Sequence, residues 1–354
     1  MFKFRPDWFL ILPSLLLILI SLAIIRSVAP GLVFNQLIFV LIAIGLYFIF
    51  ATVDYEVFFS LHPVGYFLFL FLSLVTAFFG VLSRGSQRWL LIGQFTFQPS
   101  ELIKPFLLIS FSALAVSKIK HSNYWLFLSG IIPVIVIYLQ PDLGTSLVIF
   151  IGWASIVLSK FSLKTIALII LLLAVVTVPV YKFVLHGYQK TRIMSFLNPY
   201  QDPLNNGYHV IQSTIAVGSG QIFGRGLGRG TQTQLKFLPE HHTDFIFASI
   251  SEELGFVGAF TVILLYGIIF WRVYRISQTT SDSKASLFCL SSLALLGFQT
   301  FINIGMNLGL APITGITLPL LSAGGSSLIA VAINLGLINS IALDLKNTEG
   351  LRIA

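Results

Sequence analysis

From Trp8 to Ile25 the chain runs without a charged residue, and apolar runs of this kind recur almost to its end. A helix needs roughly 20 apolar residues to cross the hydrocarbon of a bilayer. Within that hydrocarbon every backbone polar group must be satisfied inside the protein, so runs of this length fold as helices. About ten such runs can be counted, near 8–27, 34–52, 63–82, 99–117, 124–140, 142–159, 164–184, 244–271, 284–306 and 322–344. The boundary at Gln140-Pro141, between the fifth and sixth, is the least sharply marked. The expected fold is all-α, a polytopic membrane protein with about ten transmembrane helices in a single domain spanning 1–354. Two polar connections interrupt it, near 83–98 and 185–243. The second is long enough to be a large extracytoplasmic loop with a function of its own.

Composition agrees. The chain is 56% hydrophobic and 10% charged, where soluble domains carry about 25% charged residues. The net charge of +8 comes from basic residues scattered singly between apolar runs, which points to bilayer orientation and away from a nucleic-acid partner. With both termini cytoplasmic, the inner segments hold Lys3, Arg5, Lys118, Lys120, Lys160, Lys164, Arg272, Arg275, Lys284, Lys346 and Arg352. The short outer segments hold only Arg26, Arg84 and Arg88, so the positive-inside rule selects cytoplasmic termini. The first run exceeds the roughly 7–15 residues of a signal-peptide core and is read as an uncleaved span. The single Cys289 lies in an apolar run, where a buried thiol is expected and no intramolecular disulfide can form.

Charges inside spans are expensive, about 2.5–3.5 kcal/mol each on insertion scales, so each needs a reason. Glu101 and Lys104 stand three apart and can pair on one helix face, either as a purely structural ion pair or beside a polar cavity. Asp142, in Gln140-Pro141-Asp142-Leu143-Gly144-Thr145, suits a helix first turn, and capping alone could account for it. Pro99, Pro141, Pro239 and Pro319 stand near the outer starts of four helices, where a missing N–H does no harm. Several positive helix ends would then face one outer cavity, suiting a phosphate-bearing ligand. Arg84, Arg88 and Trp89 could bind diphosphate, although a Trp there also serves as an interfacial anchor.

Within the long loop, Tyr208, Ile211, Ile215 and Ile222 fall on a helical spacing among polar residues. That suits an amphipathic helix, lying on the membrane or packed on the bundle. Glycines from Gly218 to Gly230 alternate with Arg225 and Arg229, but no strand precedes them, so a dinucleotide site is excluded. A phosphate-friendly loop or a plain linker remains.

Phe237 to Phe245 holds Glu240, His241, His242 and Asp244 just before an apolar run. Asp244 at that interface could act as a general base or simply cap the helix. Glu240 shares its face only if the helix begins early. The two histidines and two acids lack a fixed metal-ligand spacing. Glu252 and Glu253 follow two turns on, and adjacent helical residues diverge by about 100°, so at most one can face the same side as Asp244.

Taken together, Gln87-Arg88-Trp89-Leu90, Gln98-Pro99-Ser100-Glu101, Gln140 to Thr145, Gly207-Tyr208, Gly230-Thr231-Gln232, Phe237 to Phe247, Glu252-Glu253-Leu254-Gly255 and Gly324-Gly325-Ser326-Ser327 closely resemble the SEDS family (shape, elongation, division and sporulation). The resemblance extends over nearly the whole chain. Asn198-Pro199, Gly218-Ser219-Gly220 and Gly230-Thr231-Gln232 favour its RodA branch over its FtsW branch. Two residues depart from the family pattern: Ala323, where Tyr is usual, and Thr317, where Pro is usual.

The resemblance implies a peptidoglycan glycosyltransferase of the bacterial cytoplasmic membrane that polymerises lipid II on the outer face during elongation. It implies a class B penicillin-binding protein and other elongation-complex membrane proteins as partners. It makes Asp244 the catalytic residue and places Arg88, Glu101, Lys104, Asp142, Glu240 and His242 as substrate-binding groups. A divalent cation, Mg or Mn, is the only cofactor that enters this expectation. Two other classes stay open at this stage: a flippase for a lipid-linked precursor, and a non-catalytic scaffold for a transpeptidase.

Overall fold

The structure, a computed structural model, describes residues 6–83, 86–93, 95–162, 164–168, 171, 187–203, 207–235, 237–238 and 240–352. Among them, seven helices are long and apolar enough to cross a membrane, which makes the chain a multi-pass membrane protein. They are α1 (Trp8–Val28), α2 (Val33–Thr52), α3 (His62–Phe79), α5 (Ser122–Leu139), α8 (Ile246–Thr279), α9 (Ser283–Asn307) and α10 (Gly325–Arg352). Two shorter apolar helices, α4 (Lys104–Val116) and α6 (Leu143–Leu158), occupy two further expected spans, and α7 (Tyr208–Ser219) lies in the long loop. Most of the expected span 164–184 lies outside the described residues, as do Arg84 and Pro239.

Burial identifies the centre. In α10, 94% of the apolar window is buried, against 17% in α3, so the last helix forms the core and α3 faces outward. Close approach of α2 makes this possible: a Cβ at Gly336 would stand 2.7 Å from the Tyr47 carbonyl. Small residues at such contacts let helix backbones approach where hydrophobic burial alone does not drive association.

A polar clamp ties one face of the bundle together. Asp7 caps α1 by accepting from Phe9 N (3.2 Å), and it receives Arg272 through Nε (2.8 Å) and Nη2 (2.6 Å). The Asp7 N–H also donates to Asn339 Oδ1 at 3.0 Å, so α1, α8 and α10 are joined at one level. At the other end of α1, Ser27 Oγ donates to Glu253 near the start of α8, so the two helices run antiparallel.

Two expected elements take other forms. The stretch near 83–98 is an antiparallel sheet of β1 (Val81–Ser83), β2 (Ser86–Ile92) and β3 (Phe95–Phe97), in that order. The expected helix 99–117 divides into a turn at Pro99–Leu102 and α4, with Pro99 and Pro105 each within the first two residues. Pro cannot supply the missing N–H inside a helix, and Pro105 therefore sets a new start. Pro319 lies in a turn ahead of α10 and does not open it directly.

The glycine-rich segment is neither linker nor nucleotide loop. Helix α8 is interrupted at Gly255 (φ 68°, ψ −164°), a conformation that only glycine adopts at no steric cost. Gln221 to Gly226 pair with the exposed backbone of that break. Arg225 N and Gly226 N donate to the carbonyls of Glu252 and Glu253, and Phe256 N and Val257 N donate to those of Gln221 and Ile222. A break in an apolar helix is tolerated where the protein itself supplies these partners. Glu252 and Glu253 are fully buried and bind this segment: Glu252 accepts from Gln232 N, Thr233 N and Thr233 Oγ1, and Glu253 from Gly228 N and Gln234 Nε2. Helix α7 packs on the bundle through Val210, Ser213 and Ala216, while Ile215 is exposed. The inward face is thus one step round from the apolar spacing read in the sequence.

Candidate active site

A cavity of about 630 Å³ opens between β2, the Pro99–Leu102 turn, the start of α6, the turn before α8 and the segment joining α9 to α10. Its lining includes Arg88, Glu101, Asp142, Glu240 and Asp244. Residues separated by more than a hundred positions therefore share one polar space. The helices beginning at Leu143, Ile246 and Gly325 open onto it, since Asp142, Asp244 and Ser326 all line its wall. Helix N-termini carry partial positive charge and suit an anionic ligand.

Another part of the lining is a continuous polar chain. Asp142 is the cap of α6, accepting from Thr145 N at 3.1 Å through Oδ1. The same oxygen meets Arg88 Nη1 at 3.2 Å, while Oδ2 accepts from Gln98 Nε2 (2.8 Å) and Thr145 Oγ1 (2.9 Å). Thr145 Oγ1 also lies 3.4 Å from Glu101 Oε1, which pairs with Lys104 Nζ at 2.5 Å. Capping and cavity roles, alternatives in the sequence, coincide in Asp142. Lys104 and Glu101 are both buried, and Lys104 sits beneath the cavity lining, with Glu101 above it. Arg88 is the cationic side chain on the described lining; its Nε is buried without a hydrogen-bond partner.

Asp244 is not a helix cap. The α8 cap is Phe245, and Asp244 belongs to the turn that precedes it. Glu240 therefore reaches the same cavity from a turn, not from a shared helix face, and its Oε2 accepts from Thr243 Oγ1 at 3.0 Å. Gly315 lies beside Asp244: a Cβ there would stand 3.7 Å from Oδ2, an ordinary contact distance. His242 is not among the lining residues; its carbonyl accepts from Ala323 N at 2.9 Å. Each ring nitrogen of His241 lies within hydrogen-bond distance of a carbonyl, Leu238 O (2.9 Å) and Val28 O (3.1 Å), so it braces the turn against the end of α1. Thr317 and Ala323 both line the cavity, and the Thr317 hydroxyl bonds Ser327 Oγ at 2.9 Å.

Gln98, Thr145, Gln299, Asn303 and Asn307 were not among the candidates read from the sequence. Gln98, Thr145 and Gln299 line the cavity, and Asn303 and Asn307 hold the Asp244 backbone. The available signal was Gln299, Asn303 and Asn307 at successive intervals of four within an apolar run, which puts three amides on one face of a membrane helix.

Among the described residues no group of three His, Cys, Asp or Glu side chains could hold a metal ion. Asp142 and Glu101 are already engaged by Arg88 and Lys104. Among the described residues, the side chains therefore form no protein cage for a divalent cation.

Residues 8–347 match the family described as cell cycle protein, FtsW/RodA/SpoVE. The chain is similar to peptidoglycan glycosyltransferase MrdB of Escherichia coli K12, with 36% identity over 342 residues, 93% of this chain and 92% of that one. Its fold is similar to a chain in a structure concerning coordination of polymerization and crosslinking by a peptidoglycan synthase complex. That match has a TM-score of 0.82 and 29% identity, covering 97% of this chain and 99% of that one. It is also similar to the crystal structure of a single-residue mutant of the rod shape determining protein RodA of Thermus thermophilus. There the TM-score is 0.72 at 26% identity, again covering 97% and 99%.

Proposed function

Because this chain belongs to the FtsW/RodA/SpoVE family of cell cycle proteins, we propose that its cavity polymerises lipid II into glycan strands at the outer face of the cytoplasmic membrane. The chain is a peptidoglycan glycosyltransferase. The observation that carries the site assignment is the meeting of Asp244 and Arg88 in one cavity.

Two reacting groups need opposite treatment in such a transfer. The 4-hydroxyl of the GlcNAc of an incoming lipid II must lose a proton as it attacks. Asp244 takes that proton as a general base. The bond between the anomeric carbon at the growing strand's reducing end and its undecaprenyl diphosphate breaks as the new glycosidic bond forms. Negative charge accumulates on the departing diphosphate, and Arg88 with the nearby helix N-termini stabilises it. Asp142 orients Arg88, and Glu101 with Lys104 sets the floor of that wall. Glu240 stands beside the acceptor. The His242 carbonyl fixes the segment carrying Ala323. A divalent cation arriving with the substrate's diphosphate would be held chiefly by that diphosphate.

The clamp at Asp7 and the cavity lie at opposite ends of the bundle, which supports cytoplasmic termini with the cavity outside. A chain of similar fold comes from a structure concerning coordination of polymerization and crosslinking by a peptidoglycan synthase complex. A class B penicillin-binding protein is accordingly the proposed crosslinking partner, with other elongation-complex membrane proteins beside it. The reading is tested by supplying lipid II to the purified protein with its partner, without nucleotide. Long glycan strands are the expected product. Movement of lipid II across vesicles without polymer would instead support a flippase.

A further inference from the structure

We propose that Asn303 and Asn307 are positioning residues that fix the Asp244 backbone so that its carboxylate keeps one place in the cavity. The inference rests on the reading of Asp244 as the base. Both amides project from α9 one turn apart, and both are fully buried. An amide inside a membrane bundle costs free energy unless its hydrogen bonds are made. Here they are made to one place. Asn303 Nδ2 donates to the Asp244 carbonyl (3.1 Å) and to the Ile316 carbonyl (2.8 Å). Asn307 Nδ2 donates to the same Asp244 carbonyl (3.1 Å) and to Asn303 O (2.8 Å).

The orientation of Asn307 follows from chemistry. Its Oδ1 accepts from Ala248 N at 3.0 Å, a group that can only donate, so Nδ2 must face Asp244. Both lone pairs of the Asp244 carbonyl are thereby occupied. The preceding peptide is held as well, because Ser322 Oγ donates to Thr243 O at 2.7 Å. Asp244 lies in a turn and lacks a helical ladder of its own, so these contacts substitute for it. Asn303 does one thing more. Through Ile316 it ties Asp244 to the segment where Gly315 faces the carboxylate, fixing two walls of the cavity relative to each other.

A displacement of about 1 Å in a reacting group can cost about a hundredfold in rate. The test compares Asn303→Leu, Asn303→Asp and Asp244→Asn in the full chain purified with its transpeptidase, using lipid II as substrate. Thr300→Ala is the control: a buried hydroxyl of the same helix bonded to its own Leu296 carbonyl. The expected result for Asn303→Leu is a fall in kcat of about 10- to 100-fold with KM within about threefold, in protein that still binds its partner. Thr300→Ala keeps wild-type kcat. Should Asn303→Leu fail to accumulate, Asn303→Asp decides, because it preserves shape and offers at most one donor; the same fall in kcat is expected. Wild-type kcat in the Asn303 variants, with Asp244→Asn inactive, overturns the clamp and leaves the base standing. A loss explained wholly by less folded protein or by raised KM also overturns it. Full activity of Asp244→Asn overturns the reading on which the clamp rests.

Discussion

Arg88 of strand β2 and Asp142 at the cap of α6 meet at 3.2 Å across the rim of the cavity. One carboxylate thus ends a membrane helix, aims a guanidinium and accepts from Gln98 and Thr145. Arg88→Lys preserves charge but loses the fork that reaches Asp142 and the cavity together. Lipid II turnover should fall about 10- to 100-fold, the range for a lost charge-assisted hydrogen bond. Most of the loss should appear in kcat, because the interaction strengthens as the diphosphate departs. Steady-state kinetics of the purified variant check this; an unchanged kcat would remove Arg88 from the leaving-group side.

Glu101 on the cavity lining and Lys104 beneath it form a buried pair. Removing one partner strands the other charge, which costs about 3–5 kcal/mol. Lys104→Met and Glu101→Gln should each lower the thermal unfolding midpoint in detergent by several degrees. The double variant, with no stranded charge, should recover much of the loss. Additive losses in the double variant would show that the pair is not coupled.

Gly255 breaks α8 at φ 68°, where a Cβ would stand 2.2 Å from Gly224 N. Gly255→Ala should therefore destabilise by about 3 kcal/mol or more, combining backbone strain with backbone overlap. Limited proteolysis should then cut between 218 and 234, a segment held in the wild type by Glu252 and Glu253. Wild-type resistance to protease would contradict the clasp.

The native Cys289 is buried, so single cysteines can report topology against a silent background. Gln201 and Ser281 are both exposed. An impermeant maleimide added to intact cells should label Gln201→Cys and spare Ser281→Cys. The reverse pattern would invert the proposed orientation.

Much of the scaffold can be read from the chain, because a bilayer leaves few options for long apolar runs. Each run that falls on described residues is matched by one or more helices. Their ends are harder to read. The Pro99 helix breaks again at Pro105, and α8 passes 34 residues with an interruption at Gly255 that no periodicity reveals. Of the site candidates, Arg88, Glu101, Asp142, Glu240 and Asp244 share the cavity, Lys104 lies beneath it and His242 is not on its lining. Charges stand out in an apolar chain because each must justify its desolvation. Amides such as Asn303 and Asn307 carry a weaker signal, and their meaning depends on a partner some sixty positions away.

The most direct test is polymerisation of lipid II by Asp244→Asn protein, purified with its partner and shown to be folded. Asn preserves the shape of the side chain and removes its basicity. Glycan synthesis should fall by at least the hundredfold typical of a lost general base, while the complex and its lipid II binding persist. Wild-type polymerisation by the same protein would contradict the assignment of Asp244 as the base.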